Sequence, residues 1–320
     1  QCAVAKPQDP MRLVFMGTPE SAGPSLRRLL KDGHEIVAVW TQPDRPAGRG
    51  KKLHQSPIKQ LALEHGLTVH QPTKIKTSEA RELFASHGAD AAIVVAYGRI
   101  LPPEFLEAHH YGCINVHFSL LPKYRGAAPV NWAIVNGEKE TGVTTMRIVS
   151  ELDAGPVLLQ SSTEIGAGET ALELMNRLAE TGAELLSETL AGIEHIELKP
   201  QRTEDATYAP MLTREDGLID WTLNAVAVER RVRGLQPWPN AHTTLNSRRL
   251  IIRQAEAEVL QPISDQPGRI VAAHGDRLVV ACGAGTGLRI SDLQPEDSRR
   301  MSARDFLNGT HIKIGQILGD

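Results

Sequence analysis

The segment CINVHFSLLP, residues 113–122, carries a carboxamide and an imidazole side chain two positions apart. Alternate residues of a β-strand share a face, so we expect Asn115 and His117 to project to one side and Ile114 and Val116 to the other. A hydrogen-bonded buried pair at a strand end would account for the two polar residues. A carboxamide donor beside an imidazole also suits the oxyanion that forms during acyl transfer. Both interpretations are open on spacing alone.

A carboxylate follows the next predicted strand, Thr144–Val149, in the sequence ELDAGP at residues 151–156. Glycine and proline there predict a tight turn that can direct Asp153 back toward the strand ends. The more common use of aspartate beside glycine is an Asx turn. The functional alternative is that Asp153 orients His117 and stabilises its charged form.

A basic loop is predicted at residues 44–52, DRPAGRGKK, which carry four basic side chains and one acidic side chain. The basic residues are Arg45, Arg49, Lys51 and Lys52. Most charged runs are simply solvated surface. Here glycine and proline predict an irregular loop rather than regular structure. Such a loop could become ordered against phosphate groups.

Sequence motifs for nucleotide cofactors and metal ions are missing. The turn Gly17–Glu20 has a single glycine, unlike the G-x-G-x-x-G turn that lets backbone approach a pyrophosphate, and no G-x-x-x-x-G-K-[ST] occurs. His109 and His110 lack the spacing of metal ligands and are predicted to lie at an exposed helix end. We therefore predict no metal site, and nicotinamide and nucleoside triphosphates are poor candidates for ligands.

The elements that must position these residues alternate between apolar runs and amphipathic stretches from Met11 to about Gly192. This alternation predicts an α/β fold with a Rossmann-like, doubly wound, mostly parallel sheet, whose ligands bind beyond the carboxyl ends of the strands. The last helix, Thr170–Gly192, is predicted to have Leu172, Met175 and Leu178 on one side.

The pattern changes after Leu198. Residues 199–213 are polar and irregular, as expected of a linker, and are followed by a helix and several short strands that indicate a small β-barrel. The predicted organisation is an extension or cloning remnant at 1–10, a catalytic domain at 11–198, the linker at 199–213 and a second domain at 214–320.

Composition excludes several classes of protein. The chain has 320 residues, a net charge of −3 and only 4% aromatic residues, which argues against disorder and against stacking surfaces for single-stranded nucleic acid. No apolar run approaches the ~20 residues of a membrane-spanning helix. Three widely separated cysteines, Cys2, Cys113 and Cys282, favour a reducing cytoplasm over a disulfide framework.

These motifs together resemble the methionyl-tRNA formyltransferase family over nearly all of residues 11–320. The motifs that carry the resemblance are FMGTPESA, RPAGRGKKL, VVAYGRILP, CINVHFSLLPKYRGAAPVNWAI, ELDAGPVL, LTREDGLIDW and RGLQPWPNAHT. The Asn-x-His pair, Ser-Leu-Leu-Pro and the later Asp-x-Gly are shared with the wider group of 10-formyltetrahydrofolate-dependent transferases. The basic loop and the WPNA segment are more specific to the branch that formylates tRNA.

The resemblance implies transfer of a formyl group from 10-formyltetrahydrofolate to the α-amine of methionyl initiator tRNA. The family's catalytic residues fall on Asn115, His117 and Asp153. Its folate contacts fall on two segments, Tyr97, Gly98, Arg99 and Ile100, and Ser119, Leu120, Leu121 and Pro122. The resemblance also implies that Arg45, Arg49, Lys51 and Lys52 contact tRNA, that the second domain is an OB-like barrel that helps hold it, and that the protein is a monomer.

Two alternatives to tRNA formylation follow from the same residues. A formyl-folate enzyme acting on a nucleotide-sugar amine or on water would share Asn115, His117 and Asp153, and only the basic loop and the WPNA segment discriminate. A non-catalytic RNA-binding protein has no chemical reason to keep all three side chains. A chain with a net charge of −3 is also a weak general RNA binder.

Overall fold

The computed structural model describes residues 10–47, 52–261 and 266–319. Arg49, Lys51 and residues 1–9 of the predicted extension lie outside the described residues. The chain divides into two compact units: Gln1–Gly126 with Thr141–Glu164 and Met175–Tyr208, and Ala127–Glu140 with Ile165–Leu174 and Ala209–Asp320. No helix in the described part of the chain is both long and apolar enough to cross a bilayer.

The first unit is built on a seven-stranded sheet of strand order β10-β9-β7-β6-β1-β2-β5. The strands of this sheet are β1 Arg12–Gly17, β2 Glu35–Trp40, β5 Val69–His70, β6 Ala91–Val95, β7 Cys113–His117, β9 Glu140–Arg147 and β10 Val157–Glu164. Strands β3 Arg45–Ala47 and β4 Lys52–His54 form a small hairpin, and the short strand β8 Arg125–Gly126 belongs to neither. The helices of the first unit are α1 Gly23–Lys31, α2 Pro57–Glu64, α3 Ser78–Ser86, α4 Pro103–Leu106 and most of α6 Ala171–Ala191, whereas α5 Pro129–Asn136 lies in the second unit.

The central strands are apolar on both faces, as expected of a sheet covered by helices on either side. All four residues of β1 from Leu13 to Met16 are fully buried. Strands β5, β2, β1, β6 and β7 pair in parallel, and β7 pairs antiparallel with β9. The predicted mostly parallel α/β fold is confirmed.

Two details of this unit differ from the prediction. Strand β9 begins at Glu140 rather than Thr144, because the strand continues through Gly142. A Cβ at Gly142 would lie 2.1 Å from the carbonyl oxygen of Ser161 in β10, so glycine permits the close approach of two strands. Leu178 is buried in α6 as predicted, but the prediction that Leu172 shares this side is wrong: Leu172 is exposed, and Leu174 is buried instead.

The prediction that the basic segment is irregular throughout is also wrong. Residues Arg45–Ala47 pair antiparallel with Lys52–His54, so both ends of the segment form a two-stranded hairpin. Pro46 is compatible with β3 because this strand has one partner only, and the N–H that proline lacks can face outward.

A cluster of aromatic and histidine side chains packs against one face of the sheet of the first unit. The Trp40 indole nitrogen donates a hydrogen bond to His87 Nε2 at 3.1 Å, and the rings of His70 and His87 are 5.2 Å apart. His109 is buried 4.8 Å from the Phe84 ring, so the prediction that it lies at an exposed helix end is wrong. Burial lowers the pKa of His87 to about 4, helped by the charges of His70 and His109.

We expect this cluster to make the protein sensitive to mild acid. Between about pH 6.5 and pH 4 the unfolded chain binds a proton at His87 that the folded chain does not bind, so the free energy of unfolding falls as the pH drops. His87→Gln keeps an acceptor for Trp40 and removes the titration. Urea midpoints at about pH 7 and about pH 5 should therefore differ less in His87→Gln than in the unmodified protein. Equal differences would contradict this.

The second unit contains a six-stranded antiparallel sheet, with β12, β13, β16, β15 and β14 in line and β17 paired to β16. Its elements are β11 Tyr208–Ala209, α7 Ala225–Gly234, β12 His242–Leu245, β13 Arg248–Val259, β14 Ile270–His274, β15 Arg277–Ala281, β16 Thr286–Pro295, β17 Met301–Ser302 and α8 Ala303–Gly309. Val228 and Val232 of α7 belong to the same buried cluster as Ile252 and Leu293 of the sheet. The predicted β-rich second domain is confirmed, and closure into an OB-like barrel stays a prediction.

Candidate active site

Asn115 and His117 lie at the carboxyl end of β7, between β6 and β9. Asn115 is opposite Val94 of β6 and Met146 of β9, and His117 is opposite Thr144. The loops that follow β6 and β7 therefore start at the same edge of the sheet, which is where α/β proteins bind ligands. Within the described residues the Asn115 amide makes no hydrogen bond, and its side chain is only partly buried.

The opposite face of β7 packs against α6, as strand alternation predicts. A Cβ at Gly182 of α6 would lie 2.8 Å from Val116 Cγ1 and 3.5 Å from the Phe118 ring. Glycine lets the helix pack this closely onto β7. The apolar face of β7 is thus filled, and the polar face carries Asn115 and His117.

Asp153 is held against His117 by the loop between β9 and β10. One oxygen, Oδ2, is 3.8 Å from His117 Nδ1 and accepts a hydrogen bond of 2.8 Å from the backbone N–H of Gly126. The loop turns so tightly that only glycine fits at position 155: a Cβ there would lie 1.7 Å from the carbonyl oxygen of Arg147. Glycine and proline predicted a turn here, and the space available requires the glycine.

The two ring nitrogens of His117 have different neighbours. Nε2 lies 3.0 Å from the backbone carbonyl oxygen of Tyr124. A carbonyl oxygen only accepts hydrogen bonds, so Nε2 carries the hydrogen and donates it. Nδ1 is then the nitrogen that faces Asp153, 3.8 Å from its Oδ2.

Three non-glycine residues around the site have left-handed backbone conformations. The φ angles are +47° at Ala96, +60° at Tyr124 and +47° at Asp153. Such conformations cost about 1–3 kcal/mol each and concentrate at functional sites, where the surrounding structure holds them. Their positions after β6, after β7 and after β9 mark one end of the sheet.

The first predicted folate segment, Tyr97–Ile100, follows β6. The Tyr97 side chain is buried in the core and burial raises its pKa to about 12, so only its backbone faces the loop. Its carbonyl oxygen accepts hydrogen bonds from Thr18 Oγ1 and from Gln42 Nε2. Gly98 and Ile100 are exposed, and Arg99 donates to Gln42 Oε1 and to a backbone carbonyl.

The second predicted folate segment, Ser119–Pro122, follows β7 and is fixed by buried hydrogen bonds. Thr144 Oγ1 donates to the carbonyl oxygen of Ser119 at 2.7 Å and accepts from the Leu121 N–H at 3.1 Å. The Ser119 hydroxyl donates to the Lys123 carbonyl at 2.6 Å. Ser119 and Leu121 are buried, so Leu120 and Pro122, both partly exposed, are the side chains of this segment that a ligand can reach.

A cavity of about 410 Å³ opens beyond the carboxyl ends of β1, β2 and β6. Its lining combines prolines with polar side chains and includes Thr18, Gln42, Arg45, Ser56 and Gly98. Arg45 is exposed and donates to Gln42 Oε1 at 3.4 Å. Lys52 begins β4 in the same hairpin.

Two residues that sequence reasoning did not identify complete the site. Arg125 is fully buried, and its Nε and Nη2 both donate to Gln201 Oε1, at 3.0 and 2.9 Å. Gln201 Nε2 donates in turn to the backbone carbonyls of Asp153 and Gly155, at 2.8 and 2.7 Å. Arg125 stands in the quoted KYRGAAP motif, but Gln201 lies in the predicted linker, where no local pattern distinguishes it.

The fold resembles that of several solved structures. The crystal structure of a HypX variant from Aquifex aeolicus matches 93% of this chain and 49% of its own with a TM-score of 0.64 and 20% identity, so the chain spans about half the length of HypX. The N-formyltransferase from Helicobacter canadensis, solved with folinic acid and dTDP-3-aminofucose, matches 88% of this chain and 98% of its own with a TM-score of 0.64 and 18% identity.

Comparison of the sequence with protein families is more specific. Residues 11–190 match the formyl transferase family, and residues 211–311 match the formyl transferase C-terminal domain. The methionyl-tRNA formyltransferase of Citrifermentans bemidjiense is 48% identical over 97% of this chain and 96% of its own length. That of Methylococcus capsulatus is also 48% identical, over 97% of this chain and all of its own. The resemblance drawn from the motifs is thus confirmed, and the chain belongs to the methionyl-tRNA formyltransferase family.

Proposed function

We propose that the chain transfers a formyl group from 10-formyltetrahydrofolate to the α-amine of methionine esterified to initiator tRNA, with Asn115, His117 and Asp153 as catalytic residues. The observation that carries this proposal is their convergence: an amide without a protein partner among the described residues, an imidazole and a carboxylate meet at one sheet edge. Formyl transfer to methionyl-tRNA is the activity of the family to which the chain belongs.

Asn115 and His117 are suited to stabilise negative charge on the formyl oxygen. Attack by the amine makes this oxygen negative, and hydrogen-bond donors aimed at it lower the barrier. The Asn115 amide supplies one N–H. Since His117 Nε2 is engaged by Tyr124, the second donor is an Nδ1–H, which the ring has in its imidazolium form, and this nitrogen lies 3.8 Å from the Asp153 carboxylate.

Asp153 can also take part in proton transfer. The Oδ2 atom is engaged by the Gly126 N–H, whereas Oδ1 makes no hydrogen bond with the described residues. An α-amine has a pKa of about 7.7–8.0 and is partly neutral near pH 7, so the attacking nitrogen loses its proton only after the bond forms. We assign acceptance of that proton, directly or through water, to Asp153 Oδ1, and its delivery to the folate nitrogen lets the bond between that nitrogen and the formyl carbon break, which releases tetrahydrofolate.

The two folate segments fit a flat, partly apolar ligand. The exposed Ile100 side chain and the backbone of Gly98 are accessible in the first segment, and the partly exposed Leu120 and Pro122 in the second, and we assign both segments to the folate. Both segments are rigidly anchored, by Gln42 and by Thr144 respectively. The reduced folate supplies the formyl group, and the reduced folate bound in the Helicobacter canadensis relative is consistent with this assignment.

The identity of the acceptor can be tested directly. Purified protein with 10-formyltetrahydrofolate should release tetrahydrofolate only when methionyl initiator tRNA is present, and uncharged tRNA should not substitute for it. Release without tRNA would favour water as the acceptor. Release with a nucleotide sugar carrying a free amine would favour the sugar formyltransferase alternative. Either result would overturn the proposal.

We expect Arg45 to contribute to tRNA binding rather than to folate binding. Arg45→Ala should raise the KM for methionyl-tRNA several-fold, leave the KM for the folate unchanged, and reduce the slope of log affinity against log salt by about 1. Lys31→Ala, which removes an exposed positive charge at the end of α1, is the matched control. Equal effects of the two variants would contradict a specific role for Arg45.

A further inference from the structure

One tripeptide, Tyr124–Gly126, contacts both proposed catalytic acid–base residues. The Tyr124 carbonyl accepts the hydrogen bond from His117 Nε2 at 3.0 Å, and the Gly126 N–H donates to Asp153 Oδ2 at 2.8 Å. The relative position of the imidazole and the carboxylate therefore depends on three consecutive residues. Tyr124 has a strained backbone with φ of +60°, and Gly126 has a φ of +125° that glycine adopts without strain.

The middle residue of the tripeptide, Arg125, points into the protein. Its side chain is 1% exposed, and its guanidinium donates twice to Gln201 Oε1 and once to Glu151 Oε1, the latter at 3.3 Å. A buried guanidinium is tolerated only where its N–H groups are paired. The Arg125 side chain thus holds the tripeptide to Gln201, 76 residues later in the chain.

Gln201 connects this anchor to the Asp153 loop. Its single Nε2 lies within 2.8 Å of the carbonyl oxygens of both Asp153 and Gly155, on the two sides of the turn. One amide group therefore accepts from the arginine of the tripeptide and donates to the backbone that carries the catalytic carboxylate. A carboxylate cannot donate, an alkyl group can neither accept nor donate, and a hydroxyl has one hydrogen where two carbonyl oxygens need one each.

We infer that the Arg125–Gln201 pair is a positioning device for the transfer reaction, which sets the distance between His117 and Asp153 without touching either substrate. The inference rests on the proposed catalytic roles of these two residues. Gln201 acts by holding the Asp153 backbone. Removal of the Gln201 side chain should therefore lower the reaction rate only in a protein whose Asp153 carboxylate takes part in the reaction.

The test is a double-mutant cycle between Gln201→Ala and Asp153→Asn, measured as single-turnover formylation of methionyl-tRNA. Asparagine keeps the size of Asp153 and tolerates its left-handed backbone. Gln201→Ala alone is expected to lower the rate constant by about 10–100-fold with both KM values unchanged, because a misplacement of about 1 Å has effects of this size. In the Asp153→Asn background, Gln201→Ala should lower it less than about twofold.

A second variant keeps the inference testable if Gln201→Ala fails to fold. Gln201→Glu still accepts from Arg125, so the buried guanidinium remains paired, but a carboxylate cannot donate to the carbonyls of Asp153 and Gly155. It should fold and show the same loss of rate. Ser187→Ala is the control, since it removes two hydrogen bonds of a buried serine in the same unit, with Arg28 and Asp32, and should leave the rate unchanged.

The outcomes distinguish a failure of the proposed catalytic role of Asp153 from a failure of the positioning role of Arg125 and Gln201. A near-normal rate for Asp153→Asn itself would refute the proposed role of Asp153. A large loss for Asp153→Asn with no loss for Gln201→Ala, or equal losses from Gln201→Ala in both backgrounds, would refute the positioning role alone.

Discussion

Replacing Asn115 or His117 with alanine is expected to lower kcat for formyl transfer by about 10²–10³-fold each, because each change removes one donor to the oxygen that becomes negative. Folate binding should persist, since the two folate segments are fixed by Gln42 and Thr144 rather than by these side chains. Stopped-flow or quench measurements of a single turnover, together with folate affinity by calorimetry, separate the two effects.

Asn115→Asp is the matched variant for this prediction. It keeps the size of the side chain but replaces a donor with a negative charge beside the reacting oxygen, so its rate should be no higher than that of Asn115→Ala. The Asn115 amide has no hydrogen-bond partner in the described residues, and its loss should therefore change the melting temperature little. Rates within about threefold of the unmodified protein would refute the oxyanion role.

Gly155→Ala is expected to affect both stability and rate. The new Cβ would lie 1.7 Å from the carbonyl oxygen of Arg147, which belongs to the paired strand β9 and cannot move freely. Overpacking of this kind costs about 1–3 kcal/mol of unfolding free energy or more. If the loop shifts to relieve this clash, Asp153 moves away from His117, and the rate of formyl transfer should fall by about 10²-fold.

Gly168→Ala is the control for that substitution, because no atom lies within 4 Å of its added Cβ. Thermal unfolding and single-turnover rates of the two variants should be compared side by side. If Gly155→Ala matches Gly168→Ala in both, the tight turn does not position the carboxylate as we describe.

Local sequence patterns predicted the parts of the site that depend on local geometry. Strand alternation placed Asn115 and His117 on one face of β7. The turn that carries Asp153 followed from glycine and proline. These features depend on a few consecutive residues, which is why periodicity and turn chemistry suffice.

Features that depend on distant contacts were missed or mispredicted. The pairing of Arg125 with Gln201 joins residues 76 positions apart, and the early start of β9 depends on space beside Ser161 of β10. His109 was predicted to lie at an exposed helix end, yet the residue is buried with its ring 4.8 Å from that of Phe84. Tertiary packing decides each of these, and a single sequence does not reveal it.

A crystal structure with a stable 10-formyl analogue of the folate, which keeps the formyl group on the nitrogen from which it is transferred, tests the convergence of the three side chains most directly. We predict that the pterin lies against residues 97–100 and that the formyl group points toward β7, within hydrogen-bond reach of Asn115 Nδ2 and beside His117 Nδ1, at about 2.7–3.1 Å from each donor. A folate bound elsewhere, or one whose formyl group faces away from both nitrogens, would contradict the assignment of the active site.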